Sequence, residues 1–240
     1  MFKKIARSRL YELVAEEVEK AILDGQYEIG SRLPSEQNLA DQFEVSRNVV
    51  REALKVLQER GLVQVLDGSG AFVAPPSSGT TTSALGRYIR LIGASTAVDA
   101  LYETRIALEG FNARLAAQRA TPEQIAELEA LVERMRTSMS DVDNGEWTSA
   151  DLEFHLALAR ATNNPFQPLL LKPLVDQLRE VIAKGFANPG ATQAGLSAHE
   201  KLLACIKNHD PESAYETMVS HLIYSENAVK QSLGEGASAG

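Results

Sequence analysis

The stretch LPSEQNLADQFEVSRNVVREALKVLQERGLVQVLDGSGAFV, from Leu33 to Val73, leaves little freedom in how it can fold. Ser35 suits the N-cap of a short helix whose apolar stripe is Leu39, Ala40 and Phe43. Glu44-Val45 makes a tight connection, and Ser46 caps a second helix running to about Arg60. Gly61 then stands just past the helix end, where a residue tolerant of positive φ is favoured. Leu62–Leu66 alternates as a strand, Asp67-Gly68-Ser69-Gly70 is turn chemistry, and Ala71–Ala74 returns as a second strand. Two short helices closely joined and followed by a hairpin predict a winged helix-turn-helix.

The second helix gives this arrangement a purpose. Val49, Val50, Ala53, Leu54 and Leu57 fall on one face, and Arg47, Asn48, Arg51 and Lys55 on the other. An apolar back with an Arg/Asn/Lys front suits the DNA major groove. Arg pairs with guanine edges or phosphates, Asn reads adenine and Lys holds phosphate. Charge alone would favour a solvated face; the capped helix before it and the hairpin after it favour double-stranded DNA.

These residues resemble the DNA-binding domain of the GntR family of bacterial transcription regulators. The likeness rests on Leu33-Pro34-Ser35-Glu36, Leu39-Ala40, Val45-Ser46-Arg47, Val50-Arg51-Glu52-Ala53-Leu54, Leu57, Gly61-Leu62-Val63, Gly68, Gly70 and Phe72-Val73. Upstream, Leu10–Gly30 fits as well, with Gly25 and Gly30 ahead of the LPSE run. The resemblance implies DNA contacts at Ser46, Arg47, Asn48 and Arg51, and at Gly68 in the wing. Two positions depart from the pattern: Gln37 stands where the family often has a DNA-contacting Arg, and Asp67 lies at the wing tip, where basic or neutral residues are commoner.

The 240-residue chain is long enough for two domains, each with a core. Its net charge of −8 argues against a generally basic nucleic-acid coat. Residues 1–74 carry ten Lys/Arg against twelve Asp/Glu, so DNA affinity must come from local placement. The single cysteine, Cys205, excludes an intramolecular disulfide framework, suits a reducing cytoplasm and reads as a small core residue. No run approaches a membrane span and no signal-peptide core opens the chain, so a cytoplasmic protein is expected.

The expected organisation is a winged domain over 1–74, a linker over 75–82, an all-α bundle over 83–233 and a disordered tail over 234–240. A first helix from Ser8 to about Asp24 places Leu10, Leu13, Val14, Val18, Ala21 and Ile22 on one face. Lys3, Lys4, Arg7 and Arg9 beside it suit either a DNA contact or a frayed terminus. Pro75–Thr82 breaks every periodicity. Seven helices follow, at about 83–93, 97–119, 122–143, 148–162, 165–186, 195–208 and 211–232, two of them opening at Pro122 and Pro211. The fold class is therefore a winged helix-turn-helix plus a bundle of about seven helices.

Three of the four histidines sit on such helices. Asp151 and His155, four apart, project from one face of one helix. His199 lies amid Leu202, Leu203 and Ile206, and His221 amid Met218, Leu222 and Tyr224. Three imidazoles and a carboxylate suit zinc, nickel, manganese or iron. Taken singly, a histidine on an amphipathic helix is more often a hydrogen-bonded core or boundary residue, and spacing alone favours that reading over a metal site. The segments Asp151–His155, His199 with Leu202-Leu203, and Ala214 to Leu222 resemble the metal-binding pattern of the all-helical FadR-type C-terminal domain. So does Tyr102–Ala120, with Arg105, Leu108-Glu109, Leu115-Ala116-Ala117 and Arg119. That resemblance implies a metal held by Asp151, His155, His199 and His221, zinc or nickel first among the four, with a small organic acid effector beside it. His209 matches nothing in the pattern and is expected to be exposed.

Four protein ligands leave open positions on a six-coordinate ion. Arg105 then suits the acid's remaining oxygens, its planar fork matching a carboxylate. It suits a pair with Glu109, one turn on, equally well. Thr217 and Ser225 flank His221 at −4 and +4 and complete the candidate effector residues. The leading expectation is a metabolite-responsive regulator, a repressor, homodimeric on a pseudo-palindromic operator. The alternatives are a metalloenzyme or structural-metal protein with a DNA-binding appendage. A ligand set with no assigned general base favours a sensor over an enzyme, since Glu153 is the one acid beside the ligand helix and points away.

Overall fold

The computed structural model describes residues 10–66, 68–139, 145–186 and 190–237. The chain divides into two units, Met1–Thr80 and Thr81–Gly240. The first contains α1 (Leu10–Leu23), α2 (Glu36–Gln42), α3 (Arg47–Glu59), β1 (Val63–Leu66) and β2 (Gly70–Val73). Ser35 and Ser46 cap α2 and α3, their hydroxyls accepting from the backbone N–H of Asn38 and Val49. Glu44, at φ 53°, turns the chain between the two helices. At the end of α3, Leu62 N–H bonds the Leu57 carbonyl and Gly61 N–H that of Gln58, both at 3.0 Å. This double bond closes the helix on a left-handed Gly61, φ 75°, a conformation a Cβ would strain.

The hairpin pairs Val63 with Val73, Gln64 with Phe72, Val65 with Ala71 and Leu66 with Gly70. On its other edge β2 meets residues 31–33. Arg32 bridges Phe72, Leu33 N–H donates to the Ala71 carbonyl and Val73 N–H to that of Ser31. Val14, Ala15, Val18, Leu39, Val50, Leu54, Leu57 and Val63 form the small core. Of the residues expected on the apolar face of α1, Val14 and Val18 are buried, together with Ala15, while Leu10 and Leu13 are about half exposed.

Seven helices make the second unit among the described residues: α4 (Gly79–Ile92), α5 (Ala94–Arg119), α6 (Pro122–Thr137), α7 (Glu146–Ala161), α8 (Phe166–Phe186), α9 (Ala191–Lys207) and α10 (Pro211–Ala237). α5 and α10 run antiparallel. Tyr102 hydroxyl meets Ser225 Oγ at 2.8 Å at one end, and Arg114 Nη2 donates to Glu212 Oε2 at 2.5 Å at the other. α7 runs alongside α5, joined where both end by Arg119 Nη1 donating to the Thr162 carbonyl at 3.2 Å. Tyr102, Leu128, Met135, Trp147, Phe154, Leu158, Leu178 and Leu222 are buried in the core. Each large apolar side chain there contributes about 1.5–3 kcal/mol relative to exposure.

Several bounds differ from expectation. α4 begins at Gly79, inside the stretch read as linker. Gln177 Nε2 donates to the Thr82 carbonyl at 3.1 Å, and Gly86 is where the Gln177 carboxamide packs, so tertiary contacts outweigh the poor helix propensity of Gly-Thr-Thr-Thr. α6 stops at Thr137 instead of about 143, where Ser138 Oγ donates back to the Arg134 carbonyl at 2.8 Å. α10 continues to Ala237, so residues 234–237 of the expected tail are helical. Ser8, Lys3, Lys4, Arg7, Arg9 and Asp67 lie outside the described residues.

Candidate functional site

α3 buries Val50, Ala53, Leu54 and Leu57 and leaves Ser46, Arg47, Asn48, Arg51 and Lys55 exposed, with Val49 half-buried between the faces. Glu36, at the first turn of α2, organises the exposed face. Arg51 grips its carboxylate through Nε at 3.2 Å and Nη2 at 2.8 Å, and Arg47 Nη2 approaches the same oxygen to 3.6 Å. The Arg51 hydrogen bonds hold the Glu36 carboxyl below its ordinary range. Lys55 is tied to Glu52 at 2.8 Å and Gln37 donates to Asp41 at 2.8 Å, both along their own helices. Gly68 is exposed at φ 72° in the wing, with open space where a Cβ would stand.

Arg51→Ala should leave the fold intact, because the side chain is half exposed and packs no core. Its loss should weaken operator binding by about 1–3 kcal/mol, a factor of roughly 5–150, if it makes a bidentate base contact. Fluorescence anisotropy at fixed salt checks this; wild-type affinity would remove Arg51 from the reading face.

In the second unit α7, α9 and α10 bring Asp151, His155, His199 and His221 together. One donor atom from each lies within 4.8 Å of the others, and all four residues are buried. Ligands about 2.1 Å from a shared ion are at most about 4.2 Å apart, so a small inward movement closes the set. The chemistry of the atoms fits an ion better than a packed core. Asp151 Oδ1, His155 Nε2, His199 Nε2 and His221 Nδ1 are buried without a hydrogen-bond partner among the described residues. Left so, each costs about 1–3 kcal/mol. His199 Nδ1 is 2.7 Å from the Gly195 carbonyl, which fixes its proton there and turns the Nε2 lone pair toward Asp151 Oδ1, 3.4 Å away. The His199 ring is further held between the edge of Phe154, centroids 4.7 Å apart, and His221 at 4.6 Å.

Behind the cluster stands a buried ion pair on α5. Arg105 Nε donates to Glu109 Oε1 at 2.5 Å, and Glu109 Oε2 contacts His155 Nδ1. The carboxylate thus holds the His155 proton on Nδ1 and presents Nε2 to the cluster, the arrangement in which an outer carboxylate orients a ligand imidazole. Burial raises the Glu109 pKa, but Arg105 and His155 outweigh it and hold the group at about 2. Of the two readings of Arg105, the pair with Glu109 is present, yet its Nη1 remains buried and unpartnered. Ser225 is engaged by Tyr102, over whose ring the Arg105 guanidinium lies at 5.2 Å. Thr217 lines, with His221, Lys201 and Tyr224, a cleft of about 230 Å³ between α9 and α10. His209 is exposed at φ 53°, its Nδ1 2.9 Å from the Ala117 carbonyl. Glu36 and the His155 side of Glu109 were missed from sequence. Both act across helices, and only the Arg105–Glu109 spacing left a trace in the linear order.

The profile of the bacterial regulatory proteins of the GntR family matches residues 10–73, and that of the FCD domain matches residues 100–223. The HTH-type transcriptional repressor NanR of Enterobacter sp. (strain 638) is 32% identical over 244 residues, spanning 98% of this chain and 90% of its own length. This chain belongs to the GntR family. NanR of Klebsiella aerogenes is 33% identical over 97% of this chain and 90% of that one. Among solved structures, Streptococcus agalactiae GntR superposes with TM-score 0.73 at 26% identity, covering 90% of this chain and 99% of its own. E. coli McbR/YncC, at 21% identity and TM-score 0.51, shares the fold. The protein is a metabolite-responsive GntR-type DNA-binding regulator, and its FCD domain carries a potential metal-binding cluster. No helix among the described residues is long and apolar enough to cross a membrane.

Burial sets the protonation of the GntR-type protein's cluster. It pushes the Asp151 carboxyl up to about 6, against His155 and Arg105, and pushes His199 down to about 3 and His221 well below its ordinary value. Both imidazoles are therefore neutral lone-pair donors at pH 7. Metal ligation takes the ionised carboxylate, so proton competition at Asp151 is absent well above pH 6 and grows as the pH falls through it. Metal affinity measured by chelator competition should be level from pH 8 to 7 and weaken below 6, by up to about tenfold per unit. An affinity that stays level to pH 5 would contradict this role for Asp151.

Proposed function

We propose that this regulator is a repressor of the FadR-type subgroup that binds a pseudo-palindromic operator as a homodimer and releases it when a small organic acid enters its metal-bearing FCD domain. The observation that carries the reading is the buried convergence of Asp151, His155, His199 and His221, with four donor atoms left without partners. These residues would hold one divalent ion, zinc or nickel before manganese or iron, which would present Lewis-acidic positions to a carboxylate. Arg105 Nη1, buried and unpartnered, is the protein's own donor for the acid's remaining oxygens, while its Nε keeps Glu109 in place. Thr217, at the cleft beside His221, is the second polar contact, and Ser225 acts through the Tyr102 hydroxyl. Repression is supported by the naming of the NanR relatives as repressors.

The DNA-reading residues are Ser46, Arg47, Asn48, Arg51 and Lys55, with Gly68 in the wing, all exposed. A regulatory role for the cluster, and not a catalytic one, is supported by its neighbouring acids. Glu153 is held by Arg134 at 2.5 Å, and Glu109 is committed to Arg105 and His155, so neither is free to take a proton from water. Metal analysis of purified and reconstituted protein is the test. About one divalent ion per chain is expected, and a cluster that stays empty after reconstitution would refute the metal-bearing reading.

A further inference from the structure

We infer that Arg32 is a DNA phosphate contact at the root of the wing, supplementing the face of α3. Among the described residues of the first unit, Arg47 and Arg51 share Glu36, and Arg60 pairs with Glu19. Lys55 pairs with Glu52. Of the arginines among the described residues of this unit, Arg32 is the one with neither an ion pair nor a hydrogen bond to its side chain, and it is exposed. In a domain where acids outnumber bases, an uncompensated guanidinium beside the reading helix is the strongest local source of phosphate attraction.

Its placement is built rather than incidental. Residues 31–33 are paired to β2 through the Arg32–Phe72 bridge and the flanking backbone hydrogen bonds, so the Arg32 backbone is as fixed as the wing itself. The guanidinium lies over Gly70. A Cβ at that position would come within 3.1 Å of Arg32 Nε and 3.2 Å of Nη2, so the missing side chain is what seats the group. Arg32 also borders a groove of about 550 Å³ with Arg47, Gln37, Gly68 and Gly70, joining the front of α3 to the wing. Gln37, neutral and tied to Asp41, stands on the same groove where the family pattern often supplies an arginine. Arg32 provides the positive charge that Gln37 lacks. A phosphate running along this groove would meet a preorganised fork whose position costs little further ordering.

The test is operator and non-operator duplex binding by the full chain carrying Arg32→Gln, Arg32→Ala or Arg32→Lys, each across a salt series. Arg32→Gln keeps a polar side chain without the charge, and Arg32→Lys keeps the charge without the fork that lies over Gly70, so the two together separate phosphate attraction from wing packing. Arg32→Gln and Arg32→Ala should weaken both duplexes roughly tenfold at 0.1 M salt and reduce the salt slope by about one per bound chain. Arg32→Lys should keep most of the affinity and the full slope. A wild-type slope in Arg32→Gln would overturn the proposal. So would a loss confined to the operator, which would make Arg32 a base-reading residue.

Discussion

Glu109→Ala should destabilise the FCD domain more than any other single polar substitution, by about 3–5 kcal/mol. The carboxylate is 1% exposed and is the partner of both the Arg105 guanidinium and the His155 Nδ1 proton. Removing it strands a charge in the core and frees the tautomer of a cluster histidine. For a domain of this size the loss corresponds to a melting-point drop of roughly 2–4 °C per kcal/mol. Replacing both partners, as Arg105→Met with Glu109→Leu, should restore much of the stability, because no unpaired charge remains. Metal affinity in the double variant should stay reduced, since His155 has lost its orienting carboxylate; outer partners of this kind typically account for about 10–100-fold. Calorimetry combined with chelator competition separates the two effects. A double variant with wild-type metal affinity would show that Glu109 is a packing partner only. Arg105→Ala, for the same reason, reports on the buried pair before it reports on effector binding.

His199→Ala should abolish tight metal binding and with it the stabilisation the ion provides. At a free metal concentration a hundredfold above Kd, that stabilisation is about 2.7 kcal/mol. The wild-type melting point should therefore rise by roughly 5–10 °C on adding zinc or nickel, and the His199→Ala melting point should stay level. Without metal the ordering is expected to narrow or reverse. The wild-type cluster buries donor atoms with no partner, and removing one imidazole removes part of that burden. A metal-dependent shift of wild-type size in His199→Ala would exclude it as a ligand.

The winged unit was legible nearly residue by residue because its determinants are local. Ser35, Ser46 and Gly61 act on the backbone within a turn of themselves, and the alternation in Val63–Val73 is set by neighbours in a short hairpin. What the sequence concealed there is the Glu36 clamp, which joins residues 15 apart, and the Arg32 pairing to β2. In the bundle, only Asp151 and His155 announce a shared face. His199 and His221 join them through helix packing that no period encodes, and family resemblance supplied that link. Arg105 stood between two partners on sequence grounds. The structure gives Nε to Glu109 and leaves Nη1 over, which no reading of spacing would divide. The start of α4 at Gly79 was hidden for a related reason, since its support comes from Gln177, 95 positions from Thr82.

Coupling between operator binding and effector binding is reciprocal by thermodynamic necessity. The direct measurement is operator affinity titrated with a panel of small organic acids, on metal-loaded protein, on metal-stripped protein and on His199→Ala. At least one acid should weaken operator binding by about 5–150-fold when metal is present, and operator DNA should weaken that acid's binding by the same factor. Stripped and His199→Ala proteins should hold the operator and ignore the acid. An acid that releases DNA equally well with and without metal would show that the buried cluster does not carry the response.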